Sequence, residues 1–72
     1  MTLQQLEYVV ALADHGQFLK AAEACEVTQP TLSSMIQKLE EELGAKLFDR
    51  RSKPVVPTAV GRVVVEQARE LL

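Results

Sequence analysis

Residues 21–43 read AAEACEVTQPTLSSMIQKLEEEL, and the fold is decided there. Phe18, Ala21, Ala22 and Cys25 make one apolar stripe over two helical turns, after which Val27 and Thr28 break the period ahead of Pro30. Thr28 is placed to cap the next helix. Pro30, which lacks an N–H, suits a first turn where that donor has no intrahelical partner anyway. Leu32, Met35, Ile36, Leu39 and Leu43 then recur at helical spacing until Gly44 ends the run. Two helices joined by the tight turn Val27-Thr28-Gln29-Pro30 predict a helix-turn-helix, whose second helix is able to enter a DNA major groove. Ala21 and Ala22 suit a close helix crossing, while Cys25, Val27, Leu32 and Met35 supply the contacts that lock the two helices together. Glu26 stands where many such turns carry glycine, a departure that does not exclude the motif, since the turn need not require positive φ. An αα-hairpin packed only for stability would show the same pattern, and the motif alone does not reject it.

On the N-terminal side, Thr2 and Gln5 have capping-box spacing. Leu3, Leu6, Val9, Val10 and Ala13 follow with helical period until Gly16, which predicts a first helix over residues 3–15. On the C-terminal side, Leu47-Phe48 and Val55-Val56 are short β-prone pairs flanking Asp49-Arg50-Arg51-Ser52-Lys53-Pro54. They predict a two-stranded wing with Pro54 on an edge strand and a cationic tip. Pro57-Thr58 opens a fourth helix with Thr58 as its cap; Val60, Val64, Ala68 and Leu71 lie on one stripe, with Val63, Val65 and Leu72 spread around it. So much apolar surface on a terminal helix predicts a partner surface, most simply an antiparallel copy of the same helix, with packing on a downstream domain as the alternative. The chain ends inside this helix without a cap, as a fragment of a longer protein would.

At 72 residues the chain is one domain at most. A domain near this size buries only about 60% of its unfolded surface, so help from a partner subunit is expected. Apolar residues at 47% and charged residues at 25% describe an ordinary globular sequence. With no signal-peptide pattern at Met1-Thr2-Leu3-Gln4-Gln5 and no run near the length of a membrane span, the expectation is a cytoplasmic protein. A single cysteine, Cys25, fits a reducing compartment. His15 is the only histidine, and no paired carboxylates, activated nucleophile or metal-ligand spacing is present, so neither catalysis, a metal nor a cofactor is expected. The formal net charge of -2 argues against nucleic acid until it is mapped. Residues 46–62 hold five cations, Lys46, Arg50, Arg51, Lys53 and Arg62, against one acid, Asp49. Affinity for DNA depends on cations presented to phosphates rather than on the molecular sum. Taken alone, this segment also reads as a solvated basic loop.

Leu3-Gln4-Gln5-Leu6, Phe18, Ala21-Ala22, Thr28-Gln29-Pro30-Thr31-Leu32-Ser33, Ile36, Leu39-Glu40, Leu43-Gly44, Leu47-Phe48, Arg50, Thr58 and Gly61 together resemble the N-terminal winged helix-turn-helix of LysR-type transcriptional regulators, across the whole chain. Leu6-Glu7-Tyr8, Val10-Ala11-Leu12-Ala13, His15, Ala24-Cys25 and Gln29-Pro30-Thr31-Leu32-Ser33 are most similar to the peroxide-responsive members of that family. Gln17 and Leu19 depart from it, standing where relatives often have small hydroxyl residues, and so does Pro57, where an aliphatic residue is usual. The resemblance implies a mainly α fold, a three-helix core with a two-stranded wing over residues 1–57. A linker and dimerisation helix then begins at 58–72, with a C-terminal effector domain absent from this chain. It implies sequence-specific double-stranded DNA as partner, a homodimer through the linker helix, a tetramer in the full-length protein, and activation or repression near promoters. Any peroxide-sensing cysteines would lie in the absent domain.

Thr28, Gln29, Pro30, Thr31, Ser33, Ser34, Gln37 and Lys38 on the second helix of the motif, with Arg50, Arg51, Ser52 and Lys53 in the wing, are the candidate DNA-binding residues. Gln29 suits bidentate pairing with adenine or a phosphate contact, and Thr31 a thymine methyl or base edge. Ser33 and Ser34 are short donors, Gln37 and Lys38 reach farther, and the wing cations suit phosphates or a narrow minor groove. Glu40, Glu41 and Glu42 are expected to point away from DNA. Each hydroxyl taken singly is equally a cap or an exposed side chain. A regulator responding to a small-molecule metabolite and a winged helix used only for protein binding are the competing readings.

Overall fold

The computed structural model describes all 72 residues as four helices and one small sheet: α1 (Leu3–His15), α2 (Phe18–Ala24), α3 (Gln29–Leu43), β1 (Phe48–Asp49), β2 (Val56–Pro57) and α4 (Ala59–Leu71). This is a winged helix-turn-helix, mainly α, as expected. The helix ends follow from local chemistry. Thr2 Oγ1 accepts the Gln5 N–H at 3.1 Å while Gln5 Oε1 accepts the Thr2 N–H at 3.0 Å, a reciprocal capping box. Thr28 and Thr58 cap α3 and α4 through the N–H groups of Thr31 and Gly61. Gly16 and Gly44, with φ of 69° and 68°, close α1 and α3 in the left-handed conformation.

The turn between α2 and α3 takes the left-handed conformation without a glycine. Glu26 has φ of 58°, a left-handed backbone on a residue with a Cβ. Its N–H bonds the Glu23 carbonyl at 3.1 Å and the Val27 N–H bonds the Ala22 carbonyl at 3.0 Å, the paired bonds of a Schellman ending. The geometry that satisfies the last carbonyls of α2 imposes the left-handed residue whatever its identity.

The core unites all four helices and the wing. Val9, Leu12, Ala21, Leu32, Leu39 and Leu47 are wholly inaccessible, and Tyr8, Ile36, Phe48, Val64 and Val65 pack with them. Phe18, Cys25, Val27 and Met35 are half-buried against this cluster, whereas Leu43, expected on the apolar stripe of α3, is exposed. On α4 the buried positions are Gly61, Val64, Val65 and Ala68, while Val60, Val63, Leu71 and Leu72 face outward. The buried stripe is thus rotated from the expected one. The cause is Gly61, whose missing side chain lets the Leu47 carbonyl approach to where a Cβ would sit, 1.9 Å from that oxygen.

The antiparallel strands pair Phe48 with Pro57 and Asp49 with Val56, one residue beyond the expected pairs. Leu47 and Val55 are turned inward and their backbones bond elsewhere. The Leu47 carbonyl takes the Thr58 N–H at 2.9 Å, and the Val55 N–H bonds the Gly16 carbonyl at 2.8 Å. Pro54 consequently lies before the strand, packed on Gly16, and Pro57 takes the strand position, tolerable in a two-stranded sheet where its missing N–H breaks no central ladder.

Gly61→Ala should destabilise the chain by about 3 kcal/mol or more in denaturant unfolding, because the methyl meets backbone and not a movable side chain. Glu26→Gly should raise stability by roughly 0.5–1 kcal/mol, the left-handed penalty relieved less the entropy glycine adds to the unfolded chain. An unchanged or lowered midpoint would mean the Glu26 backbone is not strained.

Candidate nucleic-acid interface

Helix α3 has two unlike sides. Leu32, Ile36 and Leu39 are buried, whereas Gln29, Pro30, Thr31, Ser34, Gln37 and Lys38 are exposed and Ser33 is half-buried. The polar side runs from the N-terminal turn, where the positive end of the helix dipole favours phosphate. Thr28 is exposed but locally engaged: its hydroxyl accepts the Thr31 N–H at 3.2 Å and donates to Thr31 Oγ1 at 2.8 Å. Thr28 is therefore first a cap, and the Thr31 hydroxyl, already an acceptor, keeps its own proton for a base edge or phosphate.

Across from this turn stands the wing. Lys53 is exposed and makes no ion pair, and Ser52 is half-buried. Arg51, with a side chain 94% exposed, is held loosely by Asp49, whose Oδ1 accepts the Arg51 N–H at 3.0 Å and Nε at 3.4 Å. A pair this exposed contributes little and yields readily to a phosphate. Gln29 and Lys53 line one cleft of about 480 Å³ with Gln17, Phe18 and Leu19, so the opening of α2 joins the recognition helix and wing on a single face. Gln17 precedes α2 without a side-chain capping bond, leaving its amide available. In the sequence, Gln17 and Leu19 stand out only as departures from a family pattern. The place of Gln17 in the cleft has no sequence signal, because the loop from α1 to α2 carries no helical period, and Leu19 lies off the apolar stripe of α2.

Arg50 differs from expectation. Arg50 is not a free cation at the wing tip. Its Nη2 donates to Glu40 Oε1 at 3.2 Å, Nη1 donates to Ser33 Oγ at 3.3 Å, and the guanidinium carbon sits 5.0 Å from the centre of the Phe18 ring. Glu40, expected to point away from DNA, is 3% exposed, and its second oxygen accepts the Leu47 N–H at 2.8 Å. Glu41 and Glu42 are exposed, Glu41 two turns beyond Ser34 along α3. Helical period located Glu40 on α3 but carried no sign of the arginine and the backbone N–H that make its burial possible.

The family profile described as the bacterial regulatory helix-turn-helix protein of the lysR family matches residues 3–62. The chain belongs to the LysR family. It is 53% identical over 72 residues to a hydrogen peroxide-inducible genes activator of Pectobacterium carotovorum subsp. carotovorum, and 51% identical over 72 residues to the DNA-binding transcriptional dual regulator OxyR of Escherichia coli (strain K12). Each match covers 100% of this chain and 24% of the relative, so the chain spans about a quarter of the length of these regulators. Its backbone superposes on Vibrio fischeri DarR, solved in complex with DNA, with a TM-score of 0.94 at 41% identity over 99% of this chain and 24% of that one. As a member of the LysR family the chain represents its winged helix-turn-helix DNA-binding domain.

Cys25 stands apart from this face, half-buried against the core at the C-terminal end of α2. Burial first, and then the carboxylate of Glu7, raise its thiol pKa above the ordinary value, so less thiolate is present at neutral pH than for a free cysteine. Thiol-reagent labelling of the folded chain should be slow near pH 7 and accelerate only as the pH passes the raised pKa. Glu7→Gln should shift that rise to lower pH, and labelling at the rate of free cysteine would contradict the environment described.

Proposed function

We infer that this chain reads double-stranded DNA for a hydrogen peroxide-inducible, OxyR-like regulator. The observation that carries DNA reading is the joint exposure of the α3 N-terminal turn and Lys53 on one cleft-bearing face. Gln29 and Thr31 meet base edges in the major groove; Ser33, Ser34, Gln37 and Lys38 follow the groove walls; Arg51, Ser52 and Lys53 meet the flanking backbone. Pro30 supplies no donor and shapes the turn that aims these groups. The identity to hydrogen peroxide-inducible genes activators along the entire chain supports the inducible class. Peroxide sensing itself then belongs to an effector domain beyond residue 72, with residues 1–57 as the reading domain and 58–72 as the start of the linker helix. Outward-facing Val60, Val63, Leu71 and Leu72 support a homodimer through that helix. None of the helices is long and apolar enough to cross a membrane, which agrees with work in the cytoplasm.

Gln29→Ala should weaken binding to a duplex selected by the wild type by about 1–3 kcal/mol more than binding to random duplex, measured by fluorescence anisotropy, since a bidentate base contact discriminates by that amount. Equal losses on both duplexes would remove Gln29 from base reading. Replacing Arg51 and Lys53 by glutamine should weaken binding to both duplexes alike and flatten the log-log salt dependence by roughly 0.9 for every phosphate no longer neutralised. An unchanged slope would place the wing away from the backbone.

A further inference from the structure

The cluster of Arg50, Glu40, Ser33 and Phe18 joins three elements, and the reading of DNA by α3 and the wing tip gives it no task. The guanidinium lies over the Phe18 ring from α2, donates to a buried carboxylate and a hydroxyl on α3, and is carried by the chain just after β1. Its side chain is only 35% exposed, unlike the 94% of Arg51 beside it. A guanidinium presents its donors in a rigid plane, so bonds to Glu40 and Ser33 fix the direction of both partners in a way that a flexible ammonium does not.

We propose that Glu40 and Arg50 are positioning residues for DNA recognition: the buried carboxylate aims Arg50, and Arg50 holds the Ser33 hydroxyl as a donor toward DNA while tying the wing root to α3. The Ser33 oxygen accepts from a cation, so its own proton is left to be given away and is polarised by the bond it accepts. Phe18 supports the guanidinium from below, within the distance at which an aromatic face attracts a cation. Glu40 reaches no DNA, being enclosed between Arg50 and the Leu47 N–H, yet it acts on the face through Arg50.

This positioning rests on the DNA-reading role, and its expected effect is opposite in sign to simple electrostatics. Removing a carboxylate beside a phosphate-binding face and releasing an arginine should tighten binding if Arg50 acts only as a cation. If Glu40 and Arg50 position Ser33, Glu40→Gln should instead weaken binding to the selected duplex by roughly three- to tenfold, the scale of one well-placed hydrogen bond. The loss should be absent when Ser33 is already alanine, because both changes remove the same contact. Affinity is read by anisotropy well below the unfolding midpoint of each variant. Binding that is tighter, unchanged, or weakened additively with Ser33→Ala overturns the proposal. Should Glu40→Gln fail to fold, Arg50→Lys keeps the charge and loses the planar fork: weaker binding that vanishes in the Ser33→Ala background supports positioning, and wild-type affinity overturns it. A wild-type chain that binds no duplex would remove the DNA-reading role itself, a result distinct from any variant's, and would take this proposal with it.

Discussion

Leu47 is the residue through which the wing and the last helix are attached to the recognition helix. It is fully buried, its N–H bonds the Glu40 carboxylate, and its carbonyl accepts the Thr58 N–H. Gly61 packs directly on that same carbonyl, and the preceding carbonyl, of Lys46, accepts the Thr58 hydroxyl at 2.7 Å. A carboxylate survives in this interior because both of its oxygens are occupied, one by a backbone donor and one by a guanidinium. One extended segment thereby sets where β1 leaves α3 and where α4 begins.

The geometry of the face proposed to read DNA follows from that attachment. Helix α3 is held from beneath by Leu32, Ile36 and Leu39, so its polar side has one orientation relative to the core. The far end of the wing is tied independently, where the Val55 N–H meets the Gly16 carbonyl and Pro54 rests on Gly16. Anchored at both roots, a sheet of two residues per strand holds Lys53 near Gln29, although isolated two-stranded ribbons are marginal in water. Packing of the helices thus supplies rigidity that the sheet lacks.

Charge is partitioned by the same arrangement. The molecule is acidic overall, with a formal net charge of -2, yet the acids nearest the recognition face are neutralised or displaced: Glu40 is enclosed by Arg50, and Glu41 lies two turns from the Ser34 level. Arg51 and Lys53 remain exposed at the wing. What a phosphate encounters is set by which charges are left exposed after internal pairing, not by the sum over the chain.

The helices, their caps and the polar face of α3 are legible in the order of residues alone. Thr2 with Gln5, Thr28, Gly16 and Gly44 act within a turn or two of chain, and Leu32, Ile36 and Leu39 mark the buried side by spacing alone. Even so, the left-handed turn at Glu26, local in its bonds to Glu23 and Ala22, has no glycine to announce it. Tertiary structure decided the rest. The strand register one residue beyond the β-prone pairs, the rotated face of α4 and the pairing of Arg50 with a buried carboxylate each depend on a partner distant in the chain. Gly61 shows nothing of its role until Leu47 approaches it, and Arg50 reads as one more surface cation until Phe18, Ser33 and Glu40 surround it. Periodicity and capping are local because a helix bonds residues four apart; burial of a charge is not, because the groups that stabilise it come from elements that only the packed core brings together.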